Sequence, residues 1–148
     1  PLTAVTSLLD GVNIADSDPG WYYDLTQTAG GTTGGTERIV VSPDAAAGVP
    51  IITWATLTPS SDPCNLQGAV YATSFSGKSQ LLNDDGSTAT FVTTATATTS
   101  VQIVQLPGTT PTFALLTGQT NSTISTKKLN QSVGNKLPLR TNWREVLH

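Results

Sequence analysis

Methionine is absent from this 148-residue chain, cysteine and histidine occur once each, and only 11% of the residues are charged. Each shortage removes a class of chemistry. Cys64 has no partner within the chain, so an internal disulfide is excluded; in an oxidising compartment it stays a buried structural thiol or pairs outside the chain, and the first is the expectation. The single histidine, His148, is the terminal residue, where order is least expected. No Gly-x-Ser-x-Gly elbow accompanies it, so nucleophilic catalysis finds no support and the chain is not expected to be an enzyme. Lys and Arg total 7 against 10 acidic residues, a formal charge of -3, which builds no basic stripe for a phosphate backbone. Nucleic acid is therefore not an expected partner. No apolar run approaches the roughly 18 residues of a membrane-spanning helix, and the N-terminus lacks the charged and apolar regions of a signal peptide. Because the chain begins at Pro1, it is expected to lie within a longer precursor or to follow processing.

What is abundant is glycine (13), proline (9) and a Ser/Thr share of roughly a quarter. With so few charges, that profile suits a secreted, β-rich surface protein of one domain, spanning residues 1–148. Short runs of apolar residues alternating with Thr and Ser predict strands at Trp21 to Thr26, Glu37 to Ser42, Pro50 to Leu57, Ala69 to Ser74, Thr88 to Ala95, Ser100 to Leu106, Thr112 to Gly118, Ser122 to Lys128 and Leu139 to Val146. One short helix is plausible, at Thr3 to Leu9, stopped by Asp10-Gly11. The connectors are short, which favours antiparallel meanders over crossovers. Thr28 to Thr36 reads as a flexible Gly/Thr-rich loop, Asn83-Asp84-Asp85-Gly86 as a tight primed hairpin turn, and Pro107-Gly108-Thr109-Thr110-Pro111 as a further turn. In Val70 to Leu81, Val70 and Ala72 should face one side, Tyr71 and Thr73 the other, with Gly77 in the turn.

Three motifs carry a resemblance. Pro59-Ser60-Ser61-Asp62-Pro63-Cys64, Gly20-Trp21-Tyr22-Tyr23-Asp24-Leu25 and Trp143-Arg144-Glu145-Val146 together resemble the C-terminal part of the PilY1 family, type IV pilus-tip-associated adhesins and assembly factors built on a modified β-propeller. The Val70 to Leu81 hairpin is also similar to those of quinoprotein-type propeller blades. The resemblance implies an all-β, antiparallel partial propeller of about three blades by length, with a self-contained β-sandwich as the alternative. It implies a C-terminal segment of a larger propeller at the cell surface, on the fimbrium or outside the cell. Expected partners are the upstream propeller segment or further copies of the chain, pilin or minor pilins, and a host surface receptor. Asp62, Pro63 and Cys64 would form one structural motif; Trp143, Arg144 and Glu145 would dock the last strand.

Binding residues are expected among Trp21, Tyr22 and Tyr23, since consecutive positions in a strand leave at least one aromatic on the less buried face, ready to stack on a sugar or peptide unless a neighbouring loop covers it. Trp54, within an apolar run, is expected in the core. No cofactor is expected; calcium is the one metal to test, because the pilus-tip family holds it in an Asp-x-Asn-x-Asp-x-x-x-Asp loop. Asp10, Asn13, Asp16 and Asp18 cluster without that spacing and read as Asx-turns and solvated carboxylates. Asn121-Ser122-Thr123 and Asn130-Gln131-Ser132 fit the glycosylation triplet, with no modification expected of a bacterial chain. Three functions follow: a non-catalytic binding and assembly module of type IV pili, a self-assembling subunit of a surface filament or sheath, and a remnant of a quinone-dependent dehydrogenase propeller.

Overall fold

Strands built from β-branched and small residues, broken by Gly, Pro and Asp turns, make up the regular structure, and no helix occurs among the described residues. The computed structural model describes residues 2–12, 19–25, 37–45, 48–58, 62, 66–107 and 112–130. β1 (Thr3–Ala4) and β2 (Trp21–Tyr22) form a short parallel ladder. β3 (Arg38–Ala45), β4 (Ile51–Thr58) and β5 (Gln67–Ser74) run up and down in chain order, and β8 (Val92–Thr94) completes a four-stranded antiparallel sheet. Between β5 and β8 the chain inserts a hairpin of β6 (Leu81–Leu82) and β7 (Thr88–Ala89). β9 (Thr98–Leu106), β10 (Thr112–Gln119) and β11 (Ile124–Lys128) form a second antiparallel meander of three strands.

The two sheets share an aliphatic core. Ala55 and Val70 pair across β4 and β5, as do Thr53 and Ala72, so their side chains lie on one face of the first sheet. Ile51, Ala55, Val70 and Ala72 pack there against Val101, Ile103, Phe113 and Leu115 of the second sheet, with Leu81, Ala89 and Leu129 closing one end. The opposite face of β4 and β5 is covered too: Trp54, Ala69 and Tyr71 bury with Val5 and Leu8 of the N-terminal segment. Covered on both sides, these two strands are buried almost throughout rather than alternating. Two buried threonines bond the backbone through their hydroxyls, Thr53 Oγ1 donating to Asp44 O at 3.2 Å and Thr56 Oγ1 to Ala69 O at 3.3 Å, whereas the equally buried Thr73 Oγ1 has no partner among the described residues.

Two glycines are dictated by close approach. A Cβ on Gly68 would lie 2.4 Å from the Thr56 carbonyl oxygen. Gly77 turns the chain at φ +72°, where a Cβ would meet Val5 Cγ2 at 2.9 Å and the Trp21 ring at 3.3 Å.

Several expectations are corrected here. Thr3 to Leu9 is not helical: Val5 N–H donates to Tyr22 O, Ser79 N–H donates to Leu8 O, and Val5 and Leu8 are buried against the sheet, so cross-chain bonding replaces a local helical face. The predicted strand at Trp21 shortens to two residues, and its partner is parallel rather than antiparallel. The predicted strand Thr88 to Ala95 divides at Thr90 and Phe91; its first part pairs β6 and its second pairs β5. Asn83 to Ser87 is a three-residue hairpin loop: Asn83 N–H donates to Ser87 O, Gly86 N–H to Asn83 O, and Gly86 has φ +85°. That is a turn followed by a left-handed glycine, in place of the two-residue primed turn. The predicted strand Leu139 to Val146 and the Gly/Thr loop at 28–36 lie outside the described residues.

Candidate binding site

The aromatic face of the first sheet is built around a cross-strand pair. Trp54 and Tyr71 are direct partners in the β4–β5 register, and their rings stack with centroids 5.3 Å apart and planes inclined by 5°. Phe91 tilts against Tyr71 at 5.7 Å. The Tyr71 hydroxyl donates to Glu37 Oε2 at 2.6 Å, and both side chains are buried. Burial first, then the bond to Glu37, holds the Tyr71 pKa well above the ordinary phenol value; burial and the same carboxylate raise that of Tyr23. Both phenols therefore stay protonated as neutral donors at physiological pH. This polar pair fixes the ring of Tyr71 and hence the plane against which Trp54 lies.

Next to the stack is an apolar pocket of about 210 Å³ lined by Trp21, Tyr23 and Leu25, by Ile39 and Pro43 of β3, and by Ile52 and Trp54 of β4. Trp21 is oriented by its indole N–H, which donates to Phe75 O at 2.7 Å, and by the bare Gly77 beneath its ring. Tyr22 lies between the two lining aromatics in sequence but is 45% exposed and is not part of the pocket wall. Trp54 is buried, yet its indole N–H has no hydrogen-bond partner among the described residues. Chemically, the pocket offers flat aromatic and aliphatic walls, suited to an apolar side chain or the apolar face of a ring, and Ile39 on the exposed side of β3 marks its rim.

Of the residues singled out from sequence, Trp21 and Tyr23 meet at this pocket and Trp54 joins them from the core strand. Asp62 is exposed in a bend, and Pro63, Cys64, Trp143, Arg144 and Glu145 lie outside the described residues, as do Asn13, Asp16 and Asp18. Asp84 pairs with Lys127 at 2.8 Å, and Asp85 accepts from the Ser87 amide and hydroxyl, which lowers its pKa below the usual carboxylate value. Among the described residues no group of three or more His, Cys, Asp or Glu is placed to hold a metal ion, and no helix is long and apolar enough to cross a membrane. Glu37 and Phe91 escaped the sequence reading: Glu37 stands 34 residues from Tyr71, and no local pattern announces such a pair. The chain matches no family model, no curated protein and no solved structure.

Proposed function

We propose that this chain is a C-terminal propeller segment of a PilY1-like protein and acts as a non-catalytic binding and assembly module of type IV pili at the cell surface. The observation that carries the reading is the order of the sheets. Four strands in up-and-down order are followed by a three-stranded meander that shares a core with them, an order that supports successive propeller blades, although a two-sheet sandwich has the same shared core. The Pro59-to-Cys64, Trp21-Tyr22-Tyr23 and Trp143-Arg144-Glu145 motifs add the resemblance in sequence. In this reading the aromatic pocket is the contact surface for a pilin, a minor pilin or a surface receptor, and the remaining blades come from an upstream segment. The test is to delete the codons for this chain from the source gene in a piliated bacterium and count surface pili by electron microscopy alongside attachment to host cells. Loss of either is expected; unchanged piliation with unchanged attachment contradicts the proposal.

A second reading, a self-assembling subunit of a surface filament or sheath, draws on one observation. β3 ends the four-stranded sheet and exposes Ile39 and Val40, an apolar edge of the kind that recruits other chains. Sedimentation over a range of concentrations, followed by microscopy, separates the two, because regular polymers of this chain alone support the subunit.

A further inference from the structure

The edge of the second sheet is half occupied by the chain's own hairpin. Phe113 and Leu129 are joined by a bond from the Leu129 amide to the Phe113 carbonyl, and at the other end of the ladder the Gln119 amide donates to Thr123 O. In the antiparallel register between them, the odd-numbered residues of β11 make the bonds to β10. The backbone groups of Ile124, Thr126 and Lys128 therefore point away from the sheet. Further along the same edge, the outward amide of Asn130 donates to Gln80 O, and Leu81 bridges Leu129 in antiparallel sense. β6 thus begins to pair with β11 and then diverges into its hairpin. A cavity of about 600 Å³ opens where it leaves, with Leu82 and Asp84 on the hairpin side, Thr126 and Lys128 on the edge side, and Leu106 and Ala114 contributing apolar surface.

The geometry points to this cleft as an acceptor for an extended peptide strand that carries an acidic residue. Three observations converge. The outward amide and carbonyl of Thr126 have no partner strand among the described residues, and Ile124 on the same strand is 70% exposed. The charge at the cleft is opposite to that of the chain: net charge is -3, yet Lys127 and Lys128 stand together here. Lys127 is held by the exposed Asp84 carboxylate, while Lys128 has no ion pair among the described residues. An incoming carboxylate pairs with Lys128 and replaces Asp84 at Lys127, and alternate side chains of the strand enter the apolar part of the cleft. A further copy of this chain is a poorer fit, since of its described strands only β3 carries an acidic residue, Asp44. The inference does not depend on the pilus reading.

The probe is a fluorescein-labelled eight-residue peptide of alternating valine and threonine with one central aspartate, titrated by anisotropy into the full 148-residue chain. Saturable binding is expected, weakened at least tenfold by Lys128→Glu or by lysine in place of the aspartate, and strengthened by Asp84→Asn. Thr126→Pro removes only an outward donor and leaves the β10 ladder intact, so it should abolish binding while the thermal midpoint stays within a few degrees. Hydrogen exchange supplies a second readout: the Thr126 amide exchanges fast in the free chain and slows on adding peptide, whereas the Lys127 amide is protected throughout. Failure of the peptide to bind, or equal binding of the aspartate and lysine peptides, overturns the proposal. Self-association that Thr126→Pro removes overturns it too, by assigning the edge to a second copy.

Discussion

The two faces of the four-stranded sheet are packed by different means. Toward the second sheet the contacts are aliphatic, from Ile51, Ala55, Val70 and Ala72 to Val101, Ile103 and Leu115, with Phe113 the one aromatic side chain. Toward the N-terminal segment they are aromatic, with Trp54, Tyr71 and Phe91 in ring contact and a buried carboxylate at the end of the stack. Aliphatic packing is set by volume and tolerates conservative change; the aromatic face is set by ring planes and one short hydrogen bond, and so holds a shaped pocket beside it. The aliphatic face ties the sheets together, and the aromatic face borders the pocket.

That contrast yields a graded series. Tyr71→Ala should be the most damaging change, about 3 to 5 kcal/mol by thermal or urea unfolding, because it removes a fully buried ring and strips Glu37 of a donor. Leu115→Ala should cost about 2 to 5 kcal/mol but leave the pocket intact, so near-ultraviolet circular dichroism from the tryptophans should change only in the first variant. Gly77→Ala comes next, at about 2 kcal/mol, since φ +72° and the contacts with Val5 and Trp21 oppose any Cβ; loss of the Trp21 environment in fluorescence should accompany it.

Tyr71→Phe probes the hydrogen bond alone and should cost about 1 to 3 kcal/mol at neutral pH. Its pH dependence has a definite sign. The folded chain binds the Tyr71 proton more tightly than the unfolded chain, so that stability is fully present below pH ~10 and falls as pH rises further, by about 1.4 kcal/mol per pH unit. Alkaline unfolding curves should therefore be less steep for Tyr71→Phe than for the parent chain. Smallest of all, Asp84→Asn should shift stability by less than about 1 kcal/mol, an exposed ion pair being worth little.

Legibility of the sequence followed the physics of exposure. β9 and β10 were readable because β9 has a solvated side, and the two pair antiparallel from Leu106 and Thr112; the predicted turn between them lies mostly outside the described residues. β4 and β5 were found by their apolar, β-branched content, although burial on both faces erases alternation and hides which side meets what. The split of Thr88 to Ala95 was invisible, because it is an exchange of partners, from β6 to β5, that depends on long-range pairing. The all-β, antiparallel character was therefore legible from Thr, Gly and Pro spacing, and the parallel β1–β2 ladder was not, since two residues carry no period. At the site, alternation along Trp21-Tyr22-Tyr23 separates Tyr22 from its neighbours, whereas Ile39, Pro43 and the Glu37–Tyr71 bond depend on long-range pairing.

The most direct measurement of the aromatic face as the working surface uses Ile39→Trp, a substitution at the half-exposed rim that fills the pocket without entering either core cluster. Binding of the parent chain and of this variant to purified type IV pili, compared on a biosensor at matched thermal stability, should show saturable binding by the parent and at least tenfold weaker binding by the variant. Equal binding by both, or no binding by the parent at any concentration where it remains folded, would contradict the account.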